Sequence, residues 1–165
     1  MVDARFRICP ARTDADLADV ERLFEAYAAS LGIDLGFQGF AEEVAGLPGR
    51  YAPPSGALLL ARGPAGDALG CVALRPMEAA GFCEMKRLYV SPAARGTGLG
   101  RALVEAVLRE AARIGHREMR LDSLPFMAEA IALYRSAGFG PVAPYYGTPI
   151  AGTVFLGRPL AGIAA

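Results

Sequence analysis

The sequence predicts a mixed α/β fold with one β-sheet and flanking helices. Its 165 residues suffice for one domain with its own core, and we expect 1–165 to form that single domain. Strand-like segments are grouped early, and strands and helices alternate later, which is typical of a mixed sheet. The third observation is a strong helical repeat with one apolar face, formed by Leu103, Val107, Ala111 and Ile114.

The first half of the chain contains three predicted strands and two predicted helices. Thr13, with Asp16 three residues later, can cap the first helix, and Gly32 is a plausible end for it. A glycine-rich turn between two apolar runs indicates an antiparallel hairpin. The predicted strands are 6–9, 57–62 and 68–75, and the second helix is 39–47.

The second half alternates strands with helices. The helix that begins at Leu99 ends at Gly115, and a later helix ends at Gly138, because a glycine tolerates the left-handed backbone of a helix C-terminus. The predicted strands are 82–90, 119–123, 142–146 and 153–156, and the later helix is 126–137.

Composition excludes several classes of function. Lysine and arginine number 17 and so do aspartate and glutamate, which argues against nucleic acid or an anionic membrane as the main partner. No apolar run approaches the ~20 residues of a membrane helix, and no signal peptide is evident, so we expect a cytoplasmic protein. Three cysteines in strand-like segments are expected to be buried, and no His/Cys cluster has metal-ligand spacing, so no metal is implied.

The most informative segment is a glycine-rich turn between a strand and a helix. Gly96, Gly98 and Gly100 lie in this turn and allow a ligand to approach the backbone closely. The start of the following helix offers unpaired N–H groups to an anion, and Arg95 adds a positive charge. The sequence therefore predicts a phosphate or pyrophosphate site here.

This turn differs from two common phosphate-binding motifs. A P-loop requires lysine and then serine or threonine after its last glycine, whereas Arg101 and Ala102 follow Gly100. The dinucleotide fingerprint requires a third glycine three positions after its second, and that place holds Arg101 or Leu103, depending on which glycine is taken as the first. Asp122 lies at about the distance of a ribose-binding acid, so a Rossmann-type nucleotide-binding module stays open as an alternative.

The pattern Arg-x-x-Gly-x-Gly, formed by Arg95, Gly98 and Gly100, resembles the acetyl-CoA pyrophosphate loop of the GNAT superfamily of N-acetyltransferases. The resemblance continues in E-M-K-R-L-Y-V-S-P at 84–92, similar to the family's fourth strand. It continues again in A-I-A-L-Y-R-S-A-G-F at 130–139, similar to its late helix and turn. The three blocks are in register within 68–160.

This resemblance implies a fold with splayed central strands and a site for acetyl-CoA as co-substrate. The backbone of Leu88, Tyr89 and Val90 is expected to bind the pantetheine arm and polarise the thioester carbonyl. The family often has asparagine seven residues before its late-helix tyrosine, where this chain has Met127. The residues expected to hold the pyrophosphate end are Arg95, Gly96, Thr97, Gly98, Leu99, Gly100 and Arg101.

Acetyl transfer to an amine also needs a base for the amine and an acid for the departing thiolate. By resemblance Glu84 is the candidate base, and strand alternation places it on one face with Lys86 and Leu88. Its alternative role is pairing with Lys86 or Arg87. Tyr134 is the candidate acid, and its alternative role is packing on the helix.

The acceptor side is defined less sharply by the sequence. Arg50, Tyr51, Tyr145 and Tyr146 could wall a pocket that suits a small polar or carboxylate-bearing amine, although Tyr145 and Tyr146 could equally cover the core. We therefore expect an N-acetyltransferase that acts on a small-molecule or peptide amine by direct attack in a ternary complex, as a monomer or homodimer. The alternative is a non-catalytic acyl-CoA-binding sensor of the same fold.

Overall fold

The computed structural model describes residues 2–3 and 5–165, with side chains from Arg5 onward. Eight strands form one sheet in the order β1-β2-β3-β4-β5-β6-β8-β7. The strands are β1 Val2–Asp3, β2 Phe6–Pro10, β3 Ala57–Arg62, β4 Ala68–Pro76, β5 Phe82–Val90, β6 Glu118–Ser123, β7 Gly140–Pro141 and β8 Val154–Pro159. The helices are α1 Asp14–Leu31, α2 Phe40–Ala45, α3 Leu99–Ile114 and α4 Ala128–Ser136.

The sheet is antiparallel except where β5 and β6 run side by side. These two strands pair in parallel only at Phe82↔Glu118, Cys83↔Met119 and Glu84↔Arg120. Beyond Glu84 they diverge, and β6 continues to pair with β8 along its other edge. The expected mixed sheet with splayed central strands is confirmed, and the splay leaves an open gap in the middle of the sheet.

Helices cover both faces of the sheet, and each face has its own core. On one face α3 packs Leu103, Val104 and Val107 against β3, β4 and β5. On the other face α1 packs Val20 and Phe24 against side chains of β3 and β4. The predicted start of α1 is confirmed, since Thr13 and Asp16 form a reciprocal capping box, and Gly32 ends the helix with φ 67°.

A β-bulge interrupts β5 at Arg87, whose φ of 60° is the one positive value recorded for a described residue other than glycine. Cys71 of β4 pairs with Tyr89, but Ala73 pairs with Lys86, so β5 carries one extra residue. The bulge reverses the alternation of side chains beyond it. Leu88 packs in the α3-side core, so the prediction that it shares the face of Glu84 and Lys86 is wrong.

The predicted strand 142–146 is also wrong. Only Gly140–Pro141 pairs with β8, followed by one further bond from the Val142 N–H to the Phe155 carbonyl at 3.0 Å. Pro144 has no N–H with which to continue the ladder, and the two tyrosines after it bind side chains of β5 and β6 instead. The helix predicted at 126–137 is shorter at both ends, and the other predicted elements agree with the structure to within three residues.

The remaining expectations concern the burial of the cysteines and the lack of a membrane-spanning helix. Cys71 and Cys83 are fully buried and Cys9 is partly buried; all three are free thiols. Burial raises the pKa of the Cys83 thiol to about 12, which disfavours the reactive thiolate. Within the described chain, no helix combines the length and apolar character needed to cross a bilayer.

Candidate active site

The loop between β5 and α3 presents unpaired N–H groups at one end of the gap. Gly96 and Gly98 have φ values of 76° and 84°, which a residue with a side chain adopts only with strain. Gly98 begins α3 without a side-chain cap. Within the described part of the chain, no acceptor binds the backbone N–H groups of residues 96–101. These donors and the helix dipole together favour a bound anion.

The cationic and apolar side chains of this loop point in different directions. The Arg95 Nε donates to the Val90 carbonyl at 3.2 Å, which holds the exposed guanidinium beside the loop. The Arg101 guanidinium turns toward α4 and donates to Ser136 Oγ at 2.7 Å. Leu99 is buried in the core, as the sequence pattern of α3 requires, so only its backbone can face a ligand.

The gap between β5 and β6 opens beyond Glu84, along the part of β5 that ends at this loop. Leu88, Asp122, Ser123, Met127 and Tyr134 are among the residues that line it. Tyr134 packs edge-on against Phe139, with ring centroids 6.1 Å apart. Burial raises the pKa of Tyr134 well above its usual range, so the phenol stays protonated at neutral pH.

A wider pocket of about 540 Å³ opens on the α1 side of the sheet. Lys86 and Gln38 line both this pocket and the gap, so the two spaces meet at these residues. Aromatic side chains of Phe37, Phe82, Tyr145 and Tyr146 form much of the wall. The charged residues that line it are Arg50, Arg75, Glu78, Glu84, Lys86 and Arg120.

Glu84 lies in this pocket with partners on both carboxylate oxygens. Arg75, its cross-strand neighbour on β4, donates to Oε1 from Nε at 3.0 Å and from Nη2 at 2.9 Å. The Tyr145 hydroxyl donates to Oε2 at 2.7 Å. The side chain is almost fully buried, with 4% of the residue exposed. The expected partners Lys86 and Arg87 bind other carboxylates.

Asp122 repeats the same arrangement on the next strand. It accepts hydrogen bonds from Lys86 Nζ at 3.3 Å and from the Tyr146 hydroxyl at 2.5 Å. Burial alone would raise the pKa of Asp122, but the Lys86 charge and the Tyr146 hydrogen bond together hold it below its usual value. Both tyrosine rings pack against Phe155, at 5.2 and 5.4 Å between centroids. We call residues 145–146 the tyrosine strap.

Comparison with known proteins identifies the fold that carries this site. The acetyltransferase (GNAT) domain family matches residues 54–141. An uncharacterized N-acetyltransferase of Schizosaccharomyces pombe is 40% identical over 156 residues, which cover 94% of this chain and 96% of that protein. This chain belongs to the GNAT acetyltransferase family. The family's co-substrate is acetyl-CoA, as the resemblance implied.

Further proteins that are similar to this chain are also acetyltransferases or acyltransferases by name. An IAA acetyltransferase of Azospirillum brasilense is 38% identical over 112 residues, 66% of this chain and 71% of that protein. A proposed acyl-CoA N-acyltransferase of Klebsiella pneumoniae superposes with a TM-score of 0.75 at 31% identity, covering 96% and 99% of the two chains. A Salmonella typhimurium structure that contains its cofactor acetyl-CoA superposes with a TM-score of 0.71; at 23% identity it supports the fold alone, over 98% and 97% of the chains.

The GNAT structure separates the predicted acceptor residues. Arg50, Tyr145 and Tyr146 meet at the wide pocket. Tyr51 does not line it: the side chain is 2% exposed and packs edge-on against Phe24, 6.1 Å between ring centroids. An aromatic residue in this loop could have formed a pocket wall, but the Tyr51 ring packs in the core against the apolar face of α1.

Sequence reasoning missed three residues of the site. Arg75 and Lys86 are the cationic partners of the two carboxylates, and Asp122 was considered only as a ribose-binding acid. The predicted strands 82–90 and 119–123 could have indicated them, because pairing these two strands in parallel brings residues 120–122 close to residues 84–86. Among the described residues, no group of three or more His, Cys, Asp or Glu side chains could hold a metal ion.

The bulge residue Arg87 anchors one wall of the site. Its guanidinium donates to Glu43 from Nε at 2.9 Å and from Nη2 at 3.2 Å, and to Gln38 Oε1 from Nη1 at 2.7 Å. The guanidinium also lies over the Phe40 ring, 5.0 Å from its centroid. Because the Arg87 side chain is only 1% exposed and that of Glu43 12%, the pair is a buried ion pair.

Removing one partner of this pair should therefore destabilise the protein. Glu43→Gln keeps the shape of the side chain but leaves the buried Arg87 charge uncompensated, so we expect a loss of about 3 kcal/mol in the free energy of unfolding. Glu42→Gln, at an exposed position next to it, should change stability by less than ~0.5 kcal/mol. Urea denaturation of the two variants tests this, and equal stabilities would contradict it.

Proposed function

We propose that this acetyltransferase transfers the acetyl group of acetyl-CoA to a primary amine by direct attack in a ternary complex. The supporting observation is the meeting of two spaces: the gap beside the end of β5 that runs into the glycine-rich loop joins the wide pocket at Lys86 and Gln38. A thioester reaching in from one side can thus meet an amine entering from the other. Holding both reactants together supplies the proximity that such a transfer needs. We propose that the whole chain acts as one such domain.

On the cofactor side, the N–H groups of residues 96–101 and the Arg95 guanidinium bind the pyrophosphate in this proposal. Beyond Glu84, β5 has no strand partner toward β6 among the described residues, so its edge is free to pair with the pantetheine arm. The backbone of Leu88, Tyr89 and Val90 forms that edge. An N–H group there stabilises the oxyanion of the tetrahedral intermediate.

On the acceptor side, Glu84 receives the amine proton through one water molecule. The amine nitrogen then bonds to the carbonyl carbon, and collapse of the intermediate breaks the carbon–sulfur bond. Tyr134 donates a hydrogen bond, and finally a proton, to the sulfur, and the second proton that the nitrogen loses on becoming an amide restores the tyrosine hydroxyl through solvent. Because its pKa is raised further above that of a thiol, full transfer is uphill, so its contribution is expected to be modest.

One observation favours a second function, that of a non-catalytic acyl-CoA sensor. Glu84 and Asp122 are both ion-paired and both accept a tyrosine hydroxyl, so neither carboxylate is without a partner. A carboxylate retains further lone pairs for a water molecule, which is why catalysis is preferred. Release of CoA in the presence of an amine panel distinguishes the two functions.

Gly100→Val tests the proposed cofactor loop. A Cβ atom at Gly100 would lie 3.4 Å from Leu133 Cδ2 and 3.9 Å from Val90 Cγ2, an ordinary contact that the fold tolerates. The larger side chain of Gly100→Val should fill the cleft between β5 and α4 and abolish acetyl-CoA binding. Calorimetry on the folded variant measures this, and affinity equal to that of the wild type would contradict it.

Arg95→Gln should weaken acetyl-CoA binding about 10- to 100-fold, because it removes a charge-assisted contact to the pyrophosphate. The matched control is Arg113→Gln, an exposed arginine at the other end of α3. The control should bind acetyl-CoA as the wild type does. Equal affinities in both variants would show that Arg95 does not contact the cofactor.

Glu84→Gln tests the base. The amide keeps the size of the side chain but cannot accept the proton, so kcat should fall about 10²-fold and the acidic limb of the pH–rate profile should disappear. A residue that only holds Arg75 and Tyr145 in place would lower stability and leave that limb unchanged. The pH dependence of kcat/KM, measured together with urea denaturation, separates the two roles.

Tyr134→Phe tests the acid. The substitution removes only the hydroxyl and keeps the ring against Phe139, so thermal stability and acetyl-CoA affinity should change little. We expect kcat to fall by at most about 10²-fold, since a thiolate leaves readily. Single-turnover rates at the wild-type level would show that the hydroxyl takes no part.

A further inference from the structure

We infer that the acceptor is a primary amine whose apolar body carries a carboxylate at the end remote from the amine. This inference rests on the proposed function, because it assumes that the wide pocket holds the acceptor. It adds the class of substrate, which membership of the family does not give.

The pocket has an inner and an outer end. At the inner end Lys86 and Gln38 border the gap in which transfer takes place, so the amine belongs there. At the outer end the Arg50 Nη2 donates to the Pro76 carbonyl at 2.6 Å, which fixes this guanidinium at the rim. Pro76 pairs with Cys83, three residues along β5 from Lys86. At ~3.3 Å per residue the two ends lie about 10 Å apart.

The charges at the pocket favour an anionic substituent. Of the residues that line it, four are cationic and two acidic. Arg75 is neutralised by Glu84, Lys86 by Asp122 and Arg120 by Glu118. Arg50, by contrast, has no carboxylate partner in the described part of the chain, and its only recorded hydrogen bond uses one of five N–H donors. The remaining donors suit one carboxylate.

Glu78 also lies at the outer end, exposed and without a cation in salt-bridge range among the described residues. It opposes a carboxylate bound at Arg50. The negative charge of Glu78 therefore reduces the preference for a carboxylate that Arg50 creates. Removing one or the other charge should change that preference in opposite directions.

The walls between the two ends call for an apolar body. Phe37 borders the pocket and is 38% exposed, one of two large apolar side chains left open to solvent in the described chain. Phe82 and Met77 lie on the sheet side of the same pocket. A hydrocarbon chain or ring between Phe37 and Phe82 would cover this apolar surface, and its burial would favour binding.

The experiment compares matched amines in the full-length protein. The probes are the ω-amino acids from glycine to 8-aminooctanoate and, for each, the alkylamine in which a methyl group replaces the carboxylate; acetylated product and released CoA are both measured. We expect kcat/KM for 6-aminohexanoate to exceed that for hexylamine about 10- to 100-fold, and glycine to show no such advantage. Arg50→Gln should reduce this ratio toward one, Glu78→Gln should raise it, and Arg113→Gln should leave it unchanged.

The outcomes separate the inference from the proposed function. Alkylamines that are acetylated as fast as amino acids of every length would overturn the inference and leave the N-acetyltransferase function intact. A ratio that Arg50→Gln does not change would also overturn it. If acetyl-CoA binds but no compound of either series is acetylated, both the inference and the proposed function fail.

Discussion

The buried ion pair between Arg87 and Glu43 holds the geometry on which the site depends. Arg87 sits in a left-handed backbone conformation that costs free energy for any residue with a side chain. Two hydrogen bonds to Glu43 and one to Gln38 offset that cost. The bulge that results turns Lys86 and Arg87 to one face of the sheet and Leu88 to the other. One local distortion thus places two cationic side chains at the gap and an apolar side chain against the core.

The gap itself follows from the limited pairing of β5 with β6. Parallel strands that paired along their full length would close the sheet and bury Asp122 against apolar neighbours. Here pairing stops after three positions, and the opening is lined both by polar side chains, such as Asp122 and Ser123, and by apolar ones, such as Leu88 and Met127. Asp122 is tolerated there because Lys86 compensates its charge and Tyr146 satisfies a lone pair. The same contacts therefore allow a charged side chain to remain at the opening.

Much of this fold could be predicted from local sequence. The hairpin strands, the α1 capping box and the glycine-rich turn each depend on residues close together in the chain, and the structure agrees with all three. Elements fixed by distant contacts were harder to predict. The bulge has no glycine to mark it, since Arg87 is stabilised by Glu43, 44 positions earlier. The segment 142–146 alternates like a strand, yet Tyr145 and Tyr146 bind residues on two other strands.

For the site, the sequence indicates residues that belong to a motif more readily than residues whose role depends on packing. The anion-binding loop needs particular residue types at fixed spacing, so the sequence alone indicates it. Tyr51 and Glu84 depend on which side chains happen to lie beside them in three dimensions. An aromatic ring near a loop can equally enter the core, as Tyr51 does, and a glutamate on a strand can pair across to β4, as Glu84 does with Arg75.

The tyrosine strap links the carboxylates of two different strands through adjacent residues. Tyr145 reaches Glu84 on β5 and Tyr146 reaches Asp122 on β6, so a single short segment bridges the diverging strands. Because consecutive residues share a backbone, a ligand that displaces one hydroxyl pulls on the other. The hydrogen bonds to the two carboxylates, which lie on diverging strands, are therefore coupled through one short stretch of backbone.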